Sequence, residues 1–429
     1  VALHGERFDA NDFLQEARAK GAVAAICQGD SAAEKLRQAG LPGLVVPDAR
    51  LALAQLATQW RKQFTLPLIA VTGSNGKTTV TQMIASILRA DQPDASLATQ
   101  GNLNNDIGVP LTVLGLRAHH RIAVVELGMN HPGEIAALAA IAQPTVALVN
   151  NAQREHLEFM QTVEAVAKEN GKVIDALPAE GVAVFPSDDA YSALWADKAG
   201  ARASLCFAAG QQSGTQVYAT QAVWSGAAWQ VSAVTPQGEL HYALHIAGAH
   251  NVKNSLAAVA CALAAGVPLA AIAAGLETFE PVKGRSRALL VRHSGRAITV
   301  VDDSYNANPD SVRAAIEVLA ALPAPRLLVL GDMGEVGDQG PQFHAEALQA
   351  ALAQKIDKII VTGTACAGAA AELDAIEVHA DMTEVQTAVL AALPQVASVL
   401  VKGSRFMKME RVVEAIVQAA TQDKETAPC

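Results

Sequence analysis

Apolar positions along the chain follow two rhythms. Short uninterrupted runs, such as LPLIAV from Leu66, IAVVEL from Ile122 and TVALV from Thr145, are each followed by sequence with helical spacing. Runs of that kind suit strands buried on both faces of a parallel sheet, with the intervening helices as crossovers. Residues 1–64 show the same habit on a smaller scale, with strands expected at Val23–Ile26 and Leu44–Val46. The second rhythm occupies residues 203–247, where VYATQAVWSGAAWQVSAVTPQGELHYALHI alternates polar and apolar residues and predicts antiparallel hairpins. The helical HNVKNSLAAVACALAAG then restores the first rhythm. Beyond the basic stretch PVKGRSR (281–287), strands are expected at Ala297–Val301, Arg326–Leu330, Lys358–Val361 and Val399–Val401, enough for a second parallel sheet. The final TQDKETAPC reads as a frayed end, and no internal repeat is evident. These patterns predict an α/β chain of three domains: 1–64, 65–284 with an antiparallel hairpin extension to its parallel sheet, and 285–429.

Length agrees, since 429 residues at about 150 per domain give roughly three. With 51% hydrophobic and 17% charged residues the chain is globular, and no stretch approaches the apolar length a membrane span needs. Acidic residues outnumber basic ones 42 to 32, a net charge of -10, so no basic surplus exists to hold a nucleic-acid backbone. A small anionic ligand held by local cations and backbone amides stays open. The 5 cysteines are odd in number and scattered, which predicts neither a disulfide framework nor a zinc module and fits a reducing cytoplasm. The start, VALHGERFDANDF, carries no signal pattern and no methionine; a fragment missing its native start is expected.

The strongest chemical signal is Thr72-Gly73-Ser74-Asn75-Gly76-Lys77-Thr78-Thr79, set between an expected strand and an expected helix. Glycines let backbone amides turn inward around a phosphate, the helix start adds a positive dipole, Lys77 neutralises the terminal phosphates, and Thr78 offers a hydroxyl to magnesium. Val71 stands where the strict nucleotide-loop pattern has a glycine, although the physical parts of an ATP or GTP loop are present. A glycine turn that only caps a helix is the bland alternative. Glu126 ends a buried parallel strand, the edge where α/β proteins bind ligands, and near a phosphate loop it would hold magnesium; alone it could be a solvated strand-end carboxylate. His156 sits at the mouth of a third such strand, although a lone histidine is more often structural. His119, His120, His241 and His245 are expected in solvated or packing roles. Asn102, Asn104 and Asn105 crowd a turn-rich loop able to hydrogen-bond a polar ligand. In the last domain three polar loops follow strands of one sheet: Asp302–Pro309 with Asp303, Asn306 and Asn308; Gly331–Glu335; and Lys402-Gly403-Ser404-Arg405. Together they suggest a site; each alone could be a helix cap.

The stretches TGSNGKTT, TQGNLNNDIGVP, ELGMNHPGEI, the Asn151–Glu158 segment, GAHNVKNSLAA, DDSYNANPDS, GDMGE and KGSRFMKME resemble, in order, the Mur ligases of bacterial cell-wall synthesis. They cover residues 72–410. The resemblance implies an amino-terminal domain for a uridine-nucleotide substrate, a central ATPase, and a Rossmann-like carboxyl-terminal domain that closes over ATP. The NLNNDIGVP and DDSYNANP stretches point to the member joining D-alanyl-D-alanine to UDP-N-acetylmuramoyl-tripeptide through an acyl phosphate. By that resemblance ATP and Mg2+ are the cofactors, with Gly73 to Thr79 around the phosphates and Lys77 bracing the transferred group. Thr78 and Glu126 hold the nucleotide's magnesium, and Glu126 and His156 serve a second metal. Asn254 faces adenine, Asp303 the ribose, and Arg285 the γ-phosphate. Asn102, Asn104, Asn105, Asn306, Asn308, Lys402, Ser404 and Arg405 are candidates for substrate contact. A monomer is expected, with no nucleic-acid partner. Where many Mur ligases carry a carbamylated lysine at the second metal, this chain has Asn170, so Asn170 or a water is expected in its place. Lys77 and Asp303 lie in different domains, so sharing one nucleotide requires closure, with the hinge expected at Lys283–Arg287. Two other readings stay open: a sister ligase that adds a single amino acid or glutamates to folate, and a nucleotide-dependent switch.

Overall fold

The computed structural model describes residues 1–5, 8–225, 228–373 and 375–426. The amino-terminal segment is slight. It holds the parallel pair Ala25–Gln28 and Gly43–Val46 and a small core of Leu14, Cys27, Leu36 and Leu41. Its last helix, Ala49–Arg61, begins at Asp48, whose carboxylate accepts from Leu51 N, and ends at a buried arginine. The Arg61 guanidinium donates to the carbonyls of Phe64, Leu66, Ala142 and Gln143, which ties this segment to the next.

The central sheet has nine strands, running in space from Ser96–Ala98 through Ile122–Glu126, Leu68–Thr72, Val146–Val149, Val182–Pro186, Ala203–Ala208, Val217–Trp224 and Trp229–Thr235 to Gly238–Leu244. Successive side chains of a strand face opposite ways, so Ile69 and Val71 join one core with helices Lys77–Asp91 and His250–Ala264. Leu68 and Ala70 join another, with helices Glu134–Ala142 and Val163–Asn170. The antiparallel part is smaller than expected. Ala203–Ala208 pairs in parallel with Val182–Pro186, because helix Ser192–Ala199 supplies the crossover that a parallel pairing needs; only Val217–Leu244 forms hairpins.

The last sheet has six strands in the order Arg287–His293, Arg296–Asp303, Ser398–Lys402, Arg326–Gly331, Lys358–Thr362 and Ile376–His379. The four expected strands are its centre. The two edges escaped the apolar pattern because they are partly exposed: Leu290 and Val378 point outward. Only the first pair is antiparallel. The expected frayed end is corrected in part, since helix Glu410–Thr426 includes Thr421–Thr426; residues 427–429 lie outside the described residues. Among the described residues no helix is long and apolar enough to cross a membrane, and Cys27, Cys206, Cys261 and Cys366 are free thiols.

Candidate active site

The carboxyl ends of the central strands and those of the last sheet face one cavity of about 1140 Å3. Leu68–Thr72 delivers the glycine loop to it, and helix Lys77–Asp91 starts there. The loop's shape depends on two left-handed glycines, Gly73 (φ +130°) and Gly76 (φ +83°). A Cβ on Gly76 would stand 2.7 Å from Asn254 Oδ1, so a second reason excludes any side chain there. Four asparagines hold the loop. Asn151 Oδ1 accepts from Asn75 N at 2.9 Å, Asn75 O accepts from Asn150 Nδ2 at 2.8 Å, and Asn150 also donates to Asn254 Oδ1 at 3.0 Å. Asn170 Oδ1 accepts from Gly73 N at 3.1 Å.

That last bond corrects an expectation: Asn170 is a buried strut beneath the loop and does not stand at a metal position. Its oxygen is engaged, and an amide nitrogen is not a ligand for a hard cation. The neighbouring lysines do not replace it, because Lys168 pairs with Glu164 and Lys172 with Asp175, both at the surface.

Lys77 Nζ donates to Gly73 O at 2.6 Å, to Ser74 O at 3.1 Å and to Glu155 Oε1 at 2.7 Å. Glu155 carries no motif of its own. It lies in the Asn151–Glu158 stretch, where its sequence signal is a carboxylate beside His156 at a strand mouth. Glu126 is 1% exposed, and its Oε1 accepts from Asn104 Nδ2 at 2.7 Å and Thr78 Oγ1 at 3.2 Å. Among the described residues neither Glu126 Oε2 nor Glu155 Oε2, both buried, has a hydrogen-bond partner. Glu126 Oε2, left bare on the carboxylate that also accepts from the Thr78 hydroxyl, is a hard-oxygen donor of the kind magnesium takes.

His156 (φ +51°) completes the group, with Nε2 3.5 Å from Glu155 Oε1 and Nδ1 against Glu335 Oε2. Burial disfavours its charged form, but the Glu155 and Glu335 carboxylates override that and raise its pKa to about 9. Glu335 belongs to the last domain and is held below the usual carboxylate range, first by the His156 hydrogen bond. In the absence of ligands the imidazole is therefore a cation clasped by two acids.

The last domain contributes the opposite wall. Asn308 Oδ1 caps helix Pro309–Ala320 through Ser311 N at 2.9 Å, while its Nδ2 donates to Asn75 Oδ1 at 2.9 Å across the domains. Asp303 accepts from Lys402 Nζ at 2.5 Å and from Ser286 N at 3.0 Å. Lys402 also donates to Asn306 O at 2.9 Å, and Ser404 Oγ to Asp332 O at 2.6 Å. Lys402 and Ser404 thus shape the wall with their polar atoms engaged, whereas Asn306 is exposed at the cavity. Arg285 Nη2 donates to Thr78 Oγ1 at 3.3 Å, and Arg405 also reaches the cavity. Asn102 lines it, while Asn105 Oδ1 accepts from Gly108 N at 2.9 Å as a helix cap. His250, missed in the sequence, lines it beside Asn254. Its side chain is exposed to the cavity, and desolvation by the protein around it pushes its pKa down. His119, His241 and His245 do not line it.

A second cluster, Asp332, His344 and Cys366, is buried at metal-ligand spacing. Its atoms are already committed. His344 donates from Nδ1 to Gly340 O and accepts at Nε2 from Met333 N, and Asp332 caps helix Thr364–Ala370 through Ala365 N and Cys366 N.

The sequence matches the Mur ligase middle domain over residues 71–262 and the "Mur ligase, glutamate ligase domain" over residues 286–405. It is 38% identical over 423 residues to the UDP-N-acetylmuramoyl-tripeptide–D-alanyl-D-alanine ligase of Escherichia coli, covering 98% of this chain and 91% of that protein. The chain belongs to the Mur ligase family. The ligase of the same name from Haemophilus influenzae is 37% identical, with 97% and 90% covered. A crystal structure of MurF from Acinetobacter baumannii superposes with a TM-score of 0.87 at 35% identity, covering 97% of this chain and 90% of that one. The glycine loop, Glu126, His156 and Asn254 all fall inside the matched Mur ligase middle domain, and Asp303 and Lys402 inside the matched second domain.

Proposed function

We propose that this protein is an ATP-dependent ligase that joins D-alanyl-D-alanine to the terminal carboxylate of UDP-N-acetylmuramoyl-tripeptide, in cytoplasmic peptidoglycan precursor synthesis. The observation that carries the reading is Glu126: a buried carboxylate with one bare oxygen, beside a lysine-bearing phosphate loop, facing a second sheet across one cavity. Near full-length similarity to ligases named for this substrate pair supports the substrates.

The chemistry must bring a carboxylate against a triphosphate. Two unit anions 4 Å apart repel by about 4 kcal/mol at an effective dielectric of 20, so cations must offset them. ATP lies with its phosphates along the loop of Gly73, Ser74, Asn75, Gly76 and Thr79 at the positive end of helix Lys77–Asp91, the amides of Gly73, Ser74 and Asn75 shaping that loop through their bonds to Asn170 and Asn151. Asn254 takes adenine, Asp303 the ribose and Arg285 the γ-phosphate. Lys77 turns from Glu155 toward the transferred phosphoryl group. Thr78 and Glu126 would hold the nucleotide's magnesium, and Glu126 and His156 would serve a second, a role open to the imidazole only in its neutral form and free of Glu335. Bound magnesium screens and polarises the phosphoryl oxygens. A carboxylate oxygen of the tripeptide attacks the γ-phosphorus and ADP leaves, giving the acyl phosphate. The dipeptide's amine then attacks the acyl carbon, loses its proton to water, and inorganic phosphate departs with the former carboxylate oxygen. Asn102, Asn104, Asn105, Asn306, Asn308 and Arg405 orient the two substrates, with Lys402 and Ser404 shaping the wall behind them. Residues 1–64 form part of the uridine-nucleotide site, 65–284 the ATPase and 285–429 the dipeptide side, acting as a monomer.

A donor and acceptor screen with mass measurement of the product tests this. The expected product is the UDP-sugar pentapeptide. Preference for glutamate or a single diamino acid as acceptor would move the chain to a sister ligase.

A further inference from the structure

Tyr305 has no part in the steps above, yet its ring is where two of the cavity's cations meet. The guanidinium carbon of Arg285 lies 4.0 Å from the ring centroid and that of Arg405 5.5 Å. Both distances fall where the negative face of an aromatic ring attracts a cation. Arg405 is also paired with Glu410 Oε1 at 2.9 Å, and the shared aromatic ring holds its guanidinium beside that of Arg285 without adding a charge of its own.

The backbone fastens the same group. Gly284 N donates to Asp302 Oδ2 at 2.9 Å, Ser286 N to Asp303 Oδ1 at 3.0 Å, and Tyr305 N to Gly284 O at 3.2 Å. Gly284 has φ +79°, and a Cβ there would stand 3.1 Å from Tyr305 Cβ, so the close approach depends on glycine. The segment carrying Arg285 is therefore bound to the loop carrying Tyr305 and moves with the last domain. Gly284 and Ser286, inside the hinge expected at Lys283–Arg287, are thus fastened to the loop of the last sheet.

We propose that Tyr305 is a positioning residue for ligation. It holds Arg285 and Arg405 as one pair of cations on the last domain, so that closure delivers Arg285 to the transferred phosphoryl group and Arg405 to the carboxylate of the incoming dipeptide. The inference rests on the ligase reading. Its test is steady-state ligation by Tyr305→Ala, Tyr305→Phe and Arg405→Lys, with KM measured separately for each substrate and melting temperature in parallel.

Tyr305→Ala is expected to lower kcat about tenfold and to raise KM for the dipeptide, while KM for the UDP-sugar tripeptide stays within about twofold. Tyr305→Phe, which keeps the ring, restores most of the loss. Tyr305→Ala combined with Arg405→Lys costs little more than the worse single change, as coupled residues do. Tyr305→Phe as impaired as Tyr305→Ala would overturn the proposal in favour of the hydroxyl. Near-normal Tyr305→Ala, or a lowered melting temperature with equal rises in every KM, would also overturn it. Product formed by wild type while Tyr305→Ala is unaffected contradicts this proposal alone; no product from wild type contradicts the ligase reading itself.

Discussion

Glu126 is the residue on which the chemistry turns. A buried carboxylate oxygen without a partner is costly and persists where a cation comes to use it. Glu126→Gln is expected to lower kcat at least about 100-fold, near 3 kcal/mol, while the melting temperature holds or rises because a bare buried charge is gone. Turnover and calorimetry check this; intact product formation with altered nucleotide affinity alone would favour a nucleotide switch. His156 gives a prediction for the metal- and nucleotide-free protein. Its folded pKa of about 9 lies above the unfolded value of about 6.5. Its stabilisation is therefore full below about pH 6.5 and is lost as pH rises toward 9, because across that window the folded protein holds a proton that the unfolded chain releases, so rising pH favours unfolding. A melting temperature that falls across that window, less so in His156→Gln, is the expected result. Glu126 and His156 were legible because each ends or follows an apolar strand. Glu155 was not, since nothing in one dimension shows that it meets Lys77.

At the scale of elements, the phosphate loop was legible from its glycines, but its scaffold was not. Asn150 and Asn151 follow strand Val146–Val149, Asn170 ends helix Val163–Asn170 and Asn254 lies in helix His250–Ala264, and only folding makes them one hydrogen-bond set. Removing the Asn170 bond to Gly73 N leaves a buried donor unmet, at about 1–3 kcal/mol. Asn170→Ala should thus raise KM for ATP and lower stability together, and wild-type turnover should be indifferent to added bicarbonate, because no cavity lysine stands ready for carbamylation. Bicarbonate-dependent activity would contradict the strut assignment. Most parallel strands buried on both faces were legible, although Val182–Pro186, paired in parallel with Val146–Val149, was not read. Arg287–His293 and Ile376–His379 were not, because an edge strand needs no continuous apolar run.

Across the whole molecule, the last domain is seated on the central one by contacts far apart in sequence. Arg154 donates to Asp310 Oδ1 at 2.9 Å and to Glu346 Oε2 at 2.9 Å, next to the His156–Glu335 and Asn75–Asn308 contacts. Burial pushes the Asp310 pKa up, but Arg154 more than offsets it and holds the carboxyl low. Arg154→Ala removes charge-assisted bonds that each contribute about 1.5–3 kcal/mol, so the ligand-free protein should scatter X-rays with a larger radius of gyration. An unchanged profile would show that the domains stay docked by other contacts. The seated arrangement makes one cavity of two sheets, and that cavity is built for phosphoryl transfer to a carboxylate. The most direct test is ligation with the tripeptide's terminal carboxylate labelled with 18O. One labelled oxygen should appear in inorganic phosphate for each dipeptide joined. Unlabelled phosphate would contradict an acyl phosphate and, with it, this account of the site.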